Sequence, residues 1–203
     1  MSGPLQRLAA ALMSRPLLYE LVQDLAGQRK VAVRLRRALD RLPHRRTLDV
    51  GSSAGALALR LGLSPVCLDL DPRALASLRR RDRAARPVAG DAARLPFRDG
   101  AFDLALLVAV CHHLDDGALP AMVDELARVT SGHLVVLEPL RNDARPISRS
   151  LWRYDRGRHP RTREKLEAIL MRRFEVRETI EFAVYHQYML SVLRPLRRAG
   201  ARP

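Results

Sequence analysis

The chain has 203 residues, of which 47% are hydrophobic and 29% are charged, and this composition is ordinary for one globular α/β domain. No stretch of about 18 or more uncharged apolar residues occurs, which argues against a transmembrane helix. The two cysteines, Cys67 and Cys111, lie beside apolar runs without metal-ligand spacing, so we expect neither a zinc site nor a disulfide framework.

The net charge of +14 is concentrated in the two ends of the chain. Residues 1–46 and 141–203 each carry a large excess of lysine and arginine, whereas residues 47–140 carry slightly more acids than bases. Basic flanks of this kind suit an anionic partner, such as a nucleic acid, a membrane surface or an acidic substrate. A surface simply solvated by arginine explains them equally well, so the charge leaves the partner open.

Two amphipathic helices are predicted at the start of the chain. Apolar residues recur at helical spacing over residues 16–27, where a glycine ends the first helix. The second helix is predicted over residues 28–42, with a basic outer face and with Pro43 as its stop. We assign residues 1–45 to an N-terminal helical lid.

From residue 46 onward, short apolar runs alternate with helical segments, which is typical of βαβ units and a parallel sheet. The predicted strands are residues 47–50, 65–70, 87–89, 102–109 and 133–138, the last stopped by Pro139. The predicted helices are residues 56–61, 72–83, 119–129 and 162–173. Two final strands, 174–183 and 185–193, follow each other without a crossover and are therefore expected to be antiparallel. The sequence thus predicts one doubly wound α/β domain over residues 46–203.

Ligands of an open α/β sheet bind beyond the carboxyl ends of its strands. Five polar or glycine-rich signals fall at those predicted ends: the turn DVGSSAG from Asp49 to Gly55, Asp69, Asp91, residues 109–113, and Glu138 with Pro139. One such signal alone is weak evidence, but five in succession indicate a binding site.

The first turn favours a cationic ligand over a dinucleotide. A dinucleotide fold requires GxGxxG, whereas here Gly51 and Gly55 are four residues apart and Asp49 precedes them. A carboxylate at this point repels a pyrophosphate but suits the sulfonium and ammonium groups of S-adenosylmethionine. Asp69 can accept hydrogen bonds from both ribose hydroxyls, and Asp91 from the adenine amino group. The alternatives are that Asp69 caps the next helix and that Asp91 caps a loop.

The segments LDVGSSAG, VCLDLDP, GDAARLPFRDGAFDLALL and AVCHHL, in this order and spacing, resemble the class I S-adenosylmethionine-dependent methyltransferases. The small-molecule branch with an LPF segment is the most similar, and the resemblance covers about residues 46–139. It implies a seven-stranded, mostly parallel, Rossmann-like sheet with an antiparallel last strand. It also implies that residues 140–160 are an inserted segment on the acceptor side.

The resemblance implies a role for each residue at the strand ends. Asp49 and Gly51 would contact the methionine end of the cofactor, Asp69 the ribose, Asp91 and the Ala92 amide the adenine, and Ala109 would offer its carbonyl to the ammonium group. The remaining predicted cofactor contacts are Ser52, Ser53, Gly55 and Leu70. Ser53 departs from the family pattern, which has a glycine there. A negative φ at Ser53 would be compatible with binding, whereas a positive φ would strain the backbone.

Methyl transfer from a sulfonium is an in-line displacement that depends mainly on proximity and orientation. A base is needed only if the acceptor must lose a proton, and His112 and His113 are the candidates because they follow the fourth strand. The alternative is that this histidine pair only closes the strand by packing. Asp115 and Asp116 lack further oxygen ligands for a metal, so we expect them to cap the helix ahead of Leu119 and we expect no metal site.

We expect a small-molecule or lipid-type acceptor in a cytoplasmic protein. No DPPY-type sequence follows the fourth strand, and only 4% of the residues are aromatic, which leaves few platforms for stacking bases. An RNA methyltransferase that uses the basic flanks is a second hypothesis, and a non-catalytic cofactor-binding protein is a third. Contact with a membrane surface is compatible with the flanks. The acceptor atom and the oligomeric state stay open.

Overall fold

The computed structural model describes residues 28–142, 152, 157–184 and 186–196. The predicted helix over residues 16–27 lies outside these residues, as does most of the predicted inserted segment 140–160. Within the described part, no helix is long and apolar enough to cross a membrane.

The described residues form five α-helices, one short 3-10 helix and seven strands. The helices are α1 (Gln28–Leu39), α2 (Ala56–Arg60), α3 (Pro72–Arg81), α4 (Ala118–Val129) and α5 (Arg163–Leu170), and the 3-10 helix is Cys111–His113. The strands are β1 (Thr47–Val50), β2 (Val66–Asp69), β3 (Arg86–Ala89), β4 (Phe102–Val108), β5 (Thr130–Leu140), β6 (Phe174–Ala183) and β7 (Gln187–Pro195).

All seven strands form one sheet in the order β3-β2-β1-β4-β5-β7-β6. Strands β1 to β5 pair in parallel, whereas β7 is antiparallel to both of its neighbours. The strand order reverses between β1 and β4, and a ligand of an open α/β sheet binds at such a point. The predicted doubly wound fold with an antiparallel last strand is therefore confirmed.

Helices cover both faces of the sheet and form two apolar cores. On one face, α4 and α5 pack against the central strands around Met122, Leu126 and Leu166. On the other, Leu35 and Leu39 of α1 pack in one cluster with β4, β5 and β7. The described part of the predicted N-terminal lid is therefore part of the layer that covers the sheet.

Local signals place several element ends correctly. Strand β1 has the predicted bounds, and Pro72 occupies the first turn of α3, where its fixed φ is favourable. The side chain of Asp71 caps α3 by accepting a hydrogen bond from Arg73 N at 2.8 Å. Thr162 caps α5 in the same way, with its hydroxyl accepting from Lys165 N.

The expectation that Pro139 stops β5 is wrong. Strand β5 runs to Leu140 and pairs with β7 through Pro139 and beyond. The last register pair between β5 and β4 is Val108 with Leu137, so no ladder on that side needs the N–H group that a proline lacks. The extra residues carry the carboxyl end of β5 past the end of β4.

Candidate functional site

The turn between β1 and α2 lies against β2. The backbone N–H groups of Gly51 and Ser52 donate to the carbonyl of Leu68 at 2.8 and 3.2 Å, and Gly55 N donates to Ser52 O at 2.8 Å. Three of the five residues of this turn, Gly51, Ser53 and Gly55, have positive φ angles of 69°, 51° and 67°. The N–H groups of Gly51, Ser52 and Gly55 are therefore satisfied within the protein, and the turn is fixed at the carboxyl edge of the sheet.

Both glycines of this turn are also required by close packing. A Cβ atom on Gly51 would lie 2.5 Å from Val110 Cγ2, and one on Gly55 would lie 2.6 Å from Leu78 Cδ1. Each added methyl group would therefore overlap its neighbour and would also be strained by the positive φ. The turn is held between the residues that follow β4 and helix α3.

Ser53 has a positive φ, which strains the backbone of a residue other than glycine. The left-handed conformation costs a residue with a Cβ atom about 1 to 2 kcal/mol. The strained backbone is held by its own N–H group, which donates to Asp69 Oδ2 at 2.7 Å. The turn thus keeps the conformation that a glycine would adopt freely.

We expect Ser53→Gly to stabilise the protein by about 0.5 to 1 kcal/mol, because glycine removes the left-handed strain and this gain exceeds its extra entropy in the unfolded chain. Urea unfolding measures the change. Ser53→Ala is the matched control, since it keeps the Cβ atom and should not be stabilised. A glycine variant no more stable than the alanine variant would contradict the strain at Ser53.

Asp69, at the end of β2, joins two loops through its carboxylate. Oδ2 accepts from Ser53 N at 2.7 Å and Oδ1 from Asp71 N at 2.8 Å. The alternative that Asp69 caps helix α3 is wrong, because Asp71 does so. Each carboxylate oxygen has capacity for a further donor. The next residue, Leu70, is 70% exposed.

Asp49 is a buried carboxylate beneath the turn, and only 7% of its surface is exposed. Burial, and to a smaller degree the negative charge of Asp69, raise the pKa of Asp49 to about 7. No arginine or lysine of the described ranges offsets its charge, as the causes of the shift are burial and Asp69 alone. A cation placed beside Asp49 would restore its ionised form.

Asp91 and Ala92 follow β3 in an exposed loop. Asp91 Oδ1 accepts from Ala93 N at 2.8 Å, so one oxygen of Asp91 caps its loop, as the alternative reading proposed. The segment after it is held by Glu125 and Arg128. Glu125 accepts from Leu95 N at 2.7 Å, and Arg128 donates to the carbonyls of Leu95 and Phe97.

The chain leaves β4 at Ala109, which has a φ of 54°, and then forms the 3-10 helix. The two predicted base residues are in different environments there. His112 is 4% exposed, and its Nδ1 atom lies 2.5 Å from Glu138 Oε1. His113 is exposed, and its ring centroid lies 4.2 Å from that of His112.

Asp115 and Asp116 have separate roles. Asp115 Oδ1 accepts from the N–H groups of Gly117 and Ala118 at 3.0 and 2.8 Å, so it satisfies donors at the start of α4, although the N-cap residue itself is Gly117. Asp116 instead pairs with Arg161 and Lys165, which corrects the expectation that it is a cap.

Aromatic rings adjoin the two histidines at the same edge of the sheet. The Trp152 ring lies 5.6 Å from that of His112 and 4.9 Å from that of His186. The His186 ring is 6.2 Å from that of Tyr188. Tyr188 pairs with Pro139, which places this row beside the carboxyl ends of β4 and β5.

Three buried residues of this region had no predicted role. Glu138 was noted at a strand end, and a charged residue inside an apolar run is the signal that could have identified it. Arg161 is one arginine among many in its segment. Gly157 packs against His112, whose Cδ2 atom a Cβ would overlap, and no local pattern distinguishes it.

Residues 48–136 match the family model described as "Methyltransferase domain". This range runs from β1 into β5 and includes the turn, Asp69, Asp91 and the residues after β4. Residues 48–136 therefore carry a methyltransferase domain, as the resemblance to the class I S-adenosylmethionine-dependent methyltransferases implied.

The methyltransferase domain is similar to a demethylmenaquinone methyltransferase from Beutenbergia cavernae, with 33% identity over 128 residues. The match covers 59% of this chain and 52% of that protein, so the chain spans about half the length of this relative.

Solved structures share its fold. The N-methyltransferase NodS from Bradyrhizobium japonicum WM9, in complex with S-adenosyl-L-homocysteine, has a TM-score of 0.67 at 20% identity, over 83% of this chain and 87% of that one. A SAM-dependent methyltransferase from Methanosarcina mazei has a TM-score of 0.65 at 19% identity, over 75% of this chain and 93% of that one.

Proposed function

We propose that this protein transfers a methyl group from S-adenosylmethionine to a small-molecule or lipid-type acceptor. The observation that carries the proposal is Asp49. A buried carboxylate with a pKa of about 7 and no cationic side chain beside it in the described chain fits a ligand that brings positive charge. The glycine turn that follows it lacks the GxGxxG spacing of a pyrophosphate site.

The residues at the strand ends suit the parts of this cofactor. Asp49 and Gly51, with Ser52, Ser53 and Gly55, would hold the methionine end, and Asp69 beside Leu70 the ribose. Asp91 and the Ala92 amide would hold the adenine, and the Ala109 carbonyl the ammonium group. The cofactor supplies an activated methyl group on its sulfonium. The protein's main task is to hold the acceptor in line with that methyl group.

A base is required only for an acceptor that loses a proton, and His113 suits that role better than His112. His113 is exposed, whereas the His112 ring is buried and bound to Glu138. A base must come within hydrogen-bond reach of the proton that it removes. We therefore propose His113 as the residue that faces the acceptor, with His112 behind it.

Two observations support an apolar, ring-containing acceptor. The relative from Beutenbergia cavernae is named for demethylmenaquinone, which is a lipid-type quinone. The rings of Trp152, His186 and Tyr188 succeed one another beside His112, and aromatic rings favour planar, apolar partners. A cytoplasmic location stays a prediction.

Isothermal titration calorimetry with S-adenosylmethionine tests the proposal. We expect saturable binding with a dissociation constant of about 1 to 100 μM. Absence of heat at about millimolar ligand would reject both the enzyme and the non-catalytic cofactor-binding hypothesis. Incubation with labelled S-adenosylmethionine and a quinol probe, 1,4-dihydroxy-2-naphthoic acid, then separates these two, since only the enzyme releases S-adenosylhomocysteine faster with the probe than without it.

The nucleic-acid hypothesis rests on the basic surface, where Lys30, Arg34 and Arg37 of α1 and Arg41 just after it are exposed. Binding through phosphates weakens steeply as salt concentration rises, with a slope proportional to the number of contacts. We expect only weak binding of a fluorescent RNA oligomer. Tight binding at low salt that weakens steeply as the salt concentration rises would favour the RNA hypothesis.

A further inference from the structure

The turn after β4 connects two parts of the proposed site. It begins at Ala109, whose carbonyl is the proposed partner of the cofactor ammonium, and it ends near His113, the proposed base. Its backbone starts in the left-handed region, with a φ of 54° at Ala109, and continues as the 3-10 helix Cys111–His113. A single strained turn does not hold such a shape by itself, so contacts from elsewhere in the fold must maintain it.

Glu138 of β5 satisfies the N–H groups at the start of this turn. Its carboxylate is 2% exposed and accepts from the backbone N–H groups of Val110, Cys111 and His112 at 3.1, 3.1 and 2.9 Å. Its Oε1 atom also lies 2.5 Å from Nδ1 of the His112 ring. An anion on consecutive N–H groups stabilises the first turn of a helix. Glu138 thereby fixes both the backbone of the turn and the His112 ring.

Arg161 satisfies carbonyl groups of the same turn. Its guanidinium is buried and donates to the carbonyls of Cys111 and Leu114, each at 2.8 Å, and to that of His159 at 3.1 Å. Asp116 accepts from the same guanidinium at 2.8 Å and holds it in place. The five donors of an arginine in a rigid fork suit this kind of multiple attachment.

The two buried charges bind different backbone groups of the turn. The Glu138 carboxylate accepts from N–H groups of the turn, and the Arg161 guanidinium donates to carbonyl groups of the turn. Each charge therefore contacts the end of the peptide dipoles that it stabilises. We infer that Glu138 and Arg161 are positioning residues, which set the Ala109 carbonyl against the cofactor and His113 against the acceptor. This inference rests on the proposed function. Neither residue is proposed to touch the cofactor.

Glu138→Gln and Arg161→Lys test the inference. A glutamine places an NH2 group among N–H donors, so at least one N–H of the turn loses its partner. A lysine cannot span the three carbonyls. We expect each variant to bind S-adenosylmethionine about tenfold more weakly, as lost hydrogen bonds to charged groups imply. In Glu138→Gln without cofactor, we also expect the amides of Val110, Cys111 and His112 to exchange with solvent at least about tenfold faster.

The control is Ser191→Ala, which removes a buried hydrogen bond between Ser191 and Thr179, both in the last two strands. All variants are titrated at a temperature where circular dichroism shows them folded, so that a purely structural loss leaves affinity unchanged. We expect Ser191→Ala to bind within about twofold of the wild type. If Glu138→Gln does not fold, the affinity of Arg161→Lys for S-adenosylmethionine tests the inference by itself.

The outcomes separate this inference from the proposed function. Wild-type affinity in the two variants, with a wild type that binds the cofactor, would overturn the positioning role and leave the proposed function in place. A wild type that binds no S-adenosylmethionine would overturn both. Weakened binding in the two variants, with faster exchange confined to the turn and an unaffected control, supports the inference.

Discussion

Asp69→Ala is expected to weaken S-adenosylmethionine binding by at least about 100-fold. The carboxylate is the proposed acceptor for the ribose hydroxyls, and two hydrogen bonds to a charged group contribute about 1.5 to 3 kcal/mol each. The variant also removes the hydrogen bonds that Ser53 N and Asp71 N donate to this carboxylate at 2.7 and 2.8 Å. The glycine turn is therefore less well fixed against β2. Isothermal titration calorimetry measures the change.

His113→Ala is the matched control, because the proposed base faces the acceptor and not the cofactor. It should change the affinity for S-adenosylmethionine by less than about threefold. A stronger effect from His113→Ala than from Asp69→Ala would overturn the assignment of Asp69 to the ribose. Adenosine and 2′,3′-dideoxyadenosine refine the test. We expect the wild type to prefer adenosine, and the alanine variant to lose this preference.

Asp49→Asn is expected to have opposite effects on stability and on cofactor affinity. The folded-state pKa of about 7 lies above the ordinary value of 3.8, because the carboxylate is buried and lies near Asp69. The folded protein therefore binds this proton more tightly than the unfolded chain. The resulting stability is fully present below about pH 4 and is lost as the pH rises through about 7. Above that, the charged carboxylate costs roughly 4 kcal/mol.

An asparagine has the same shape and does not titrate, so it avoids this cost. We expect the free energy of unfolding of Asp49→Asn to exceed that of the wild type, and the difference to widen by about 2 to 3 kcal/mol between pH 5 and pH 8. The same variant should bind S-adenosylmethionine at least about tenfold more weakly at pH 8, because it lacks the carboxylate that we propose for the cationic methionine end of the cofactor. Urea unfolding and calorimetry at both pH values measure the two effects.

Asp124→Asn is the control for Asp49→Asn. Asp124 pairs with Arg173 on the surface, where both side chains are substantially exposed, and exposed pairs contribute about 1 kcal/mol or less. Its effect on stability should be small at both pH values. Equal affinity for S-adenosylmethionine in Asp49→Asn and the wild type would remove the observation on which the proposed function rests.

Much of the fold could be predicted because its signals are local. Alternating apolar and helical segments predicted the parallel sheet, and Asp71 with Pro72 predicted the start of α3, which the N-cap hydrogen bond to Arg73 N confirms. The prediction that Pro139 ends β5 was wrong because it depends on a contact that is not local. Whether a proline ends a strand depends on whether a neighbouring strand needs its N–H group. Pairing with β4 ends at Leu137, before Pro139, and β4 lies about thirty residues away along the chain.

The candidate site also has a part that the sequence predicted and a part that it did not. The residues at the strand ends were found from the sequence because strand ends and small-residue turns leave a local pattern. The roles of Glu138 and Arg161 did not emerge, since Arg161 meets Cys111 across 50 residues of chain. The sequence also did not predict that His112 is buried and His113 is exposed, although the two residues are adjacent.

The sequence by itself determined the methyltransferase domain, the order of its elements and the carboxylates Asp49, Asp69 and Asp91 at successive strand ends. Periodicity and turn chemistry depend on residues that are neighbours in the sequence, so they can be recognised without a structure. Only the tertiary structure decided that Asp49 is buried without a cation in the described chain, that Ser53 is strained, and that Glu138 and Arg161 hold one turn between them. Burial and charge pairing are properties of residues brought together by the fold, and they set the pKa values and positions on which the proposed chemistry depends.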